Sequence, residues 1–326
     1  MMRSPSCFVV ACRRADGSIV VREDRWRSIW EKVKFLRWPF LRGAVVLWET
    51  LHNGMSALSF AANVQMEDEA LKAKAEGKPI PRKDEMGAGA ITRMMGTALV
   101  LVLAFFVVLP HLLTWLLGFK PESVAFHLVD GLIKLGVLVA YVAGISLLPD
   151  IRRVYQYHGA EHKAIATYEA GEPMTVAAAK GHSRFHPRCG TSFLLIVILA
   201  SVLIFAVTLK GRIAEGAILD HLVKILIKLP LMLPVAGIAY ELIKLAGRWP
   251  RSPLVRTLVA PGLWLQRLTT REPDEPQLEI ALCAVGRALA RTAERDATLT
   301  RALTTFRGYD EVLHAPAARS AEALHA

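Results

Sequence analysis

Residues 191–209 read TSFLLIVILASVLIFAVTL, nineteen positions without a charge. At ~1.5 Å of rise per residue, such a helix covers most of the ~30 Å of hydrocarbon in a bilayer. Three other stretches read the same way. Thr97–Leu117 is apolar with Pro110 and His111 near its end. Ala125–Leu148 carries Asp130 and Lys134, spaced i,i+4 so that they can pair. Leu222–Leu245 holds Lys224, Lys228, Pro230, Pro234, Tyr240, Glu241 and Lys244; its two prolines predict a kink, and its first two lysines are placed to snorkel. The pattern predicts a mainly α membrane protein with about four transmembrane helices.

Composition agrees. The 326 residues are 53% hydrophobic, with mean hydropathy +0.34 and net charge +11. Lys and Arg number 16 in positions 1–96, six in 149–189 and eleven in 247–326, against one and two in the short connections between spans. The positive-inside rule puts all three basic regions, and both termini, on the cytosolic side. The charge is read as facing anionic lipid. Nucleic acid is not expected as a partner, because no binding motif accompanies the charge. Four scattered cysteines without a CxxC pair point away from a disulfide framework.

Five regions follow. Residues 1–96 are cytosolic or interfacial. An Asp16-Gly17 turn between Cys7–Cys12 and Ser18–Val21 predicts a β-hairpin. Arg25–Trp38 has amphipathic helical spacing, Phe40–Ala62 reads as an interfacial or partly buried helix and Met66–Met86 as a mobile charged loop. Glu49 and His52 share a helix face as an ordinary polar pair. Residues 97–148 hold spans one and two, 149–190 a cytosolic His/Cys loop, 191–246 spans three and four. Residues 247–326 form a cytosolic C-terminal region: a membrane-surface segment, an amphipathic helix at Pro276–Ala293 and, from Arg295, a loosely held tail.

The chemistry concentrates in 149–190. Asp150 is placed to cap a helix from about Ile151 to Ala170, with Gly171 as its stop. On it His158 and His162 are one turn apart, able to reach one divalent ion, zinc or another metal. Glu161 completes H-x-x-E-H, the order in which two His bind zinc and Glu is the general base. His182, His186 and Cys189 follow. His158, His162, His186 and Cys189 would close a tetrahedral N₃S site of structural type; three ligands with Glu161 free would leave a hydrolytic one. Glu241 is a further ligand candidate, its alternative being a partner for a cation. Lys163, Lys180, Arg184 and Arg188 could hold a lipid phosphate, or simply be positive-inside charges.

At these residues the chain resembles the YqhQ-like family. MMRSP at Met1–Pro5, DGSIVV at Asp16–Val21, PFLRG at Pro39–Gly43, DIRRVYQYHGAEHKAI at Asp150–Ile165, HPRCGTSFLL at His186–Leu195, AYEL at Ala239–Leu242 and PGLWLQRLTTREP at Pro261–Pro273 carry the likeness. It implies a bacterial membrane protein built on a domain of unknown function, of a kind described as predicted metal-dependent enzymes. Two readings of function stand: a metal-dependent hydrolase acting at the cytosolic membrane face on a peptide or lipid, or a scaffold whose structural zinc shapes a cytosolic face for a protein partner. A transporter is less supported, because the spans carry few polar residues and no paired repeat.

Overall fold

The computed structural model describes residues 1–38, 41–78, 88–187, 189–249, 252–294 and 301–314. The hairpin forms as predicted: β1 (Met2–Arg3), β2 (Cys7–Arg13) and β3 (Ile19–Arg25) are antiparallel neighbours, with Gly17 at φ +88° in the turn. Strand β3 runs past Val21 to Arg25, into the segment predicted as an amphipathic helix. The rest of that segment is broken into α1 (Ile29–Lys32) and a 3₁₀ turn (Lys34–Arg37), separated by an extended Val33. Tertiary hydrogen bonds override the helical spacing: buried Glu49 accepts from Ser28 Oγ (2.6 Å) and Ile29 N (2.8 Å). His52 of the same helix is exposed, so Glu49 and His52 form no shared site.

Helix α2 (Leu41–Ala75) replaces the first half of the predicted 66–86 loop. Its MEDEALKAKA end is made of strong helix formers, and Gly77 at φ +65° follows it. The loop's remainder at 79–87 lies outside the described residues. Helix α3 (Ala88–Leu103), a π-turn (Ala104–Val108) and α4 (Leu109–Leu116) form the first apolar segment, α5 (Val124–Ile145) the second. Next come α6 (Pro149–Glu169) and α7 (Val176–Gly181), then α8 (Gly190–Thr208), α9 (Ala217–Arg248), α10 (Pro253–Thr269) and α11 (Glu275–Glu294). Among the described residues, four helices are long and apolar enough to cross a membrane: Gly96–Leu116, Val124–Ile145, Gly190–Thr208 and Ile218–Leu245. Their outer faces expose Leu132, Leu203, Val207 and Leu226, as in a multi-pass membrane protein. Helix α8 sits among α5, α9 and α10.

Helix α9 runs from Ala217 to Arg248 with both prolines inside it. One detail of the spans differs from expectation. Lys224 and Lys228 do not snorkel; both are buried and turned inward onto carboxylates, Lys224 to Asp220 (2.8 Å) and Lys228 to Asp130 (3.1 Å).

The tail also departs from its reading. Arg301–Phe306 is strand β4, paired antiparallel with β3 from Ile19↔Phe306 to Asp24↔Arg301, and α12 (Tyr309–His314) follows. Residues 295–300 and 315–326 lie outside the described residues. Helix α11 covers one face of the sheet: Leu278, Leu282 and Val285 pack with Val9, Ile19, Val21 and Phe306, and with Ala160 and Ala164 of α6. Ala57 of α2, with Phe60, covers Phe8 and Val10 on the other. With both faces covered, β2 reads as a continuous apolar run. Buried Glu23 of β3 ties the layers, accepting from Arg287 Nε and from Arg291 Nε (2.6 Å) of α11.

Candidate metal centre

Helix α6 presents His158 and His162 one turn apart, their ring centroids separated by 4.4 Å. Its entry differs from the predicted cap: Pro149 is helical, Leu148 is the N-cap and Asp150 lies in the first turn, where its charge suits the helix dipole. The stop at Gly171, φ +69°, is as predicted. Cys189 is the N-cap of α8, its sulfur accepting from Thr191 N (3.4 Å). Its Sγ is 3.2 Å from His158 Nε2. One donor atom from each of His158, His162 and Cys189 lies within 4.8 Å of the other two.

Two glycines allow the approach. A Cβ on Gly159 would stand 2.1 Å from the Arg271 carbonyl oxygen, so only glycine lets α6 lie against the extended chain after α10. Arg271 N donates to Tyr155 O there (2.8 Å), and Arg184 donates to Thr270 O. A Cβ on Gly262 would stand 2.6 Å from Ser192 Cβ, where α10 crosses the start of α8. One turn on, Gln266 clamps the loop before Cys189: its Oε1 accepts from His186 N (2.8 Å) and its Nε2 donates to His186 O (2.8 Å) and Ser192 Oγ (2.9 Å).

The hydrogen bonds fix the imidazole tautomers. A carbonyl only accepts, so His158 Nδ1 donates to Thr269 O (2.9 Å) and His162 Nδ1 to Arg184 O (2.6 Å). Both rings thereby turn Nε2 toward the sulfur, as metal-ligating histidines do when a carbonyl holds their other nitrogen. With no metal, a proton must bridge the donors. Burial opposes charge on Cys189, but hydrogen bonds from His158 and His162 outweigh it and draw the thiol well below its ordinary range. His158 shifts the opposite way: burial opposes its charge, and the bond to Cys189 outweighs it. Two imidazoles and a thiolate held this way suit zinc or another borderline-soft divalent ion.

Three of the four expected ligands converge. His186 stands beside them, its ring centroid 5.8 Å from that of His162, with Nε2 on Glu169 Oε2 (3.3 Å). Glu161 pairs with the Met1 amino group. His182 pairs with Glu172 (3.0 Å), and Glu241 is engaged by Arg42 of α2 rather than by the cluster. Lys163 reaches Glu272 and Lys180 O, and Lys180 pairs with Glu275, so these cations hold the fold together. Arg188 lies outside the described residues. Gln266, Thr269 and Gly159 carry no metal-ligand signature and were reachable only through the PGLWLQRLTTREP and YHGAEH segments that contain them.

Residues 38–291 match the family described as a protein of unknown function, DUF1385. The chain belongs to the DUF1385 family. It is 31% identical over 294 residues, 84% of each chain, to the uncharacterized protein YqhQ of Bacillus subtilis (strain 168). No solved structure matches. The DUF1385 region takes in the His/Cys cluster, Gln266 and all four candidate spans, and leaves the strands β1 to β4 outside it.

Proposed function

We propose that this DUF1385 protein is a metal-dependent hydrolase of the bacterial inner membrane, with its site at the cytosolic face. One observation carries the reading: His158, His162 and Cys189 converge, with both Nδ1 hydrogens already committed to backbone carbonyls. Three protein ligands, among the described residues, make an open set, the pattern of catalytic rather than structural zinc. Zinc, or a comparable divalent ion, supplies Lewis acidity and eases loss of a proton from water. Glu161, beside His162 and partly exposed, takes that proton and returns it to the leaving group. Substrates are amide or ester bonds of peptides or lipids presented at the membrane surface.

The test begins with metal content of the detergent-purified protein beside His158→Ala/His162→Ala. About one ion per chain, lost in the double variant, is expected from the donor set. Glu161→Gln should then keep the ion and lose hydrolysis of fluorogenic peptide and lipid esters. A metal-free wild type, or an active Glu161→Gln protein, overturns the reading.

A second reading has its own support. Cys189 starts α8 while both histidines lie on α6, so an ion there staples one candidate span to α6. As a purely structural zinc protein, docking a partner on its basic face, the chain would lose loop order in His158→Ala and tolerate Glu161→Gln.

A further inference from the structure

A second cluster of ionisable groups lies inside the helical bundle, away from the His/Cys centre. The centre sits at the start of α8; the cluster packs around Phe205, fifteen residues further along that helix, or roughly 22 Å at 1.5 Å per residue. Asp130 Oδ2 accepts from Lys134 Nζ (2.6 Å) and Lys228 Nζ (3.1 Å). Lys228 Nζ also lies 3.2 Å from His111 Nδ1, and His111 Nε2 lies 2.7 Å from His221 Nδ1. His111, Asp130 and Lys228 are buried, whereas His221, near the start of α9, is partly exposed. The four residues thus form one hydrogen-bonded line from the surface into the bundle.

Two features make this more than packing. Lys134 and Lys228, both as ammonium ions, face a single carboxylate, because Asp220 is taken by Lys224. The cluster then holds one positive charge too many in an apolar bundle, a costly state that losing one proton relieves. Asp130 Oδ1, moreover, is buried with no hydrogen-bond partner among the described residues, an acceptor open at the inner end of the line.

The hydrogen bonds also dictate how a proton would move. Neutral His111 has one ring N–H. If Lys228 is an ammonium, it donates to His111 Nδ1, so the ring hydrogen is on Nε2 and is donated to His221 Nδ1. If His221 has taken up a proton at Nε2 and, as an imidazolium, donates its Nδ1 hydrogen to His111 Nε2, the His111 hydrogen is on Nδ1 and is donated to Lys228 as an amine. The two bonds reverse together. In that reversal an N–H of His221 breaks as His111 Nε2–H forms, and His111 Nδ1–H breaks as an N–H of Lys228 forms, so one proton advances from His221 to Lys228.

We propose that His221, His111 and Lys228 are a proton relay, loading and unloading one proton on the Asp130 cluster from the end of the bundle opposite the His/Cys centre. Other groups bear on it from every packed element. Asp130, Lys134 and His127 come from α5, and His127 Nε2 is turned to Leu209 O (3.4 Å). Asp220, Lys224 and Glu122 act on His221. Helix α8 contributes the ring of Phe205, and Phe126 and Trp115 flank the histidine pair. The relay is independent of any chemistry at His158, His162 and Cys189.

The test is nitrogen NMR of ring-labelled histidine in the full-length protein, reconstituted in lipid, from pH 5 to pH 10. His111 is assigned by the signals missing from His111→Asn. The two His111 nitrogens should exchange pyrrole-type and pyridine-type shifts in one transition. In Lys228→Met that exchange should disappear, and in His221→Phe, which removes only the outer group, it should slow. A His111 that keeps one tautomer across the whole range in the wild type overturns the relay, whatever the variants do. So does an exchange that survives in a folded Lys228→Met protein.

Discussion

Gln266 grips the backbone of His186 from both sides, its Oε1 on the amide and its Nε2 on the carbonyl, each at 2.8 Å. A side-chain amide here does what a neighbouring strand would do, in a loop that has none. It thereby sets where the chain enters Cys189. Replacing it with leucine, Gln266→Leu, leaves two buried backbone groups without partners, at a cost of about 1–3 kcal/mol each. Metal affinity, read by competition with a chelating dye, should fall by about 10–100-fold. An unchanged affinity would show that the loop holds Cys189 without the clamp.

Gly159 and Gly286 make a matched pair. Gly159→Ala drives a methyl group to 2.1 Å from the Arg271 carbonyl oxygen, a backbone atom that cannot swing aside. It should lower the melting temperature and break the His158 to Thr269 bond, releasing metal. Gly286→Ala, in α11 with nothing near the added carbon, should raise stability by about 0.5–1 kcal/mol through helix propensity. Equal thermal shifts for the two would contradict the packing at Gly159.

Glu23→Gln tests the tie between sheet and α11. It leaves Arg287 and Arg291 facing a neutral amide in a buried setting, with an expected loss of about 3–5 kcal/mol. Glu67→Gln removes an exposed partner of Arg14 and should cost less than about 1 kcal/mol. Limited proteolysis should cut near α11 in the first variant and not in the second.

The cysteines should divide by environment. Burial, the main cause, pushes the Cys7 thiol up to about 11 and Cys283 up to about 12, from an ordinary 9.0. Both should resist alkylation in the native protein at pH 8, while chelator-treated Cys189 reacts first and added zinc protects it. Mass spectrometry of the labelled peptides reads the order. The sign for stability follows: with folded values above the unfolded ones, Cys7 and Cys283 leave stability untouched at pH 7 and erode it as pH rises above about 9. Stability that climbs between pH 9 and pH 11 would count against their burial.

Local pattern was enough to read the spans, the hairpin and the pairing of His158 with His162. Each rests on residues a few positions apart, where hydropathy or helical spacing acts alone. What could not be read depends on partners far along the chain. Lys224 and Lys228 look like snorkelling residues until Asp220 and Asp130 are seen to face them. Arg301–Phe306 looks like a tail because a strand of six residues is stable only beside β3, some 280 positions earlier. Of the candidate ligands, the helical pair was legible and Cys189 followed from its donor type. The place of His186, beside the cluster and on Glu169, is set by Gln266, which no spacing rule connects to it.

The Thr269 carbonyl that orients His158 lies downstream of all four candidate spans, and β4, which finishes the sheet, lies later still. A ribosome therefore makes α6 and Cys189 long before the carbonyl that aims His158, whereas Arg184, the acceptor for His162, is made before Cys189 itself. During synthesis the edge of β3 stays unpaired and the His158 imidazole lacks its acceptor. The geometry of the His/Cys cluster is thus completed late, once the last helices have docked. A nascent chain stalled before Thr269 would hold His158, His162 and Cys189 and still lack the bond that aims His158.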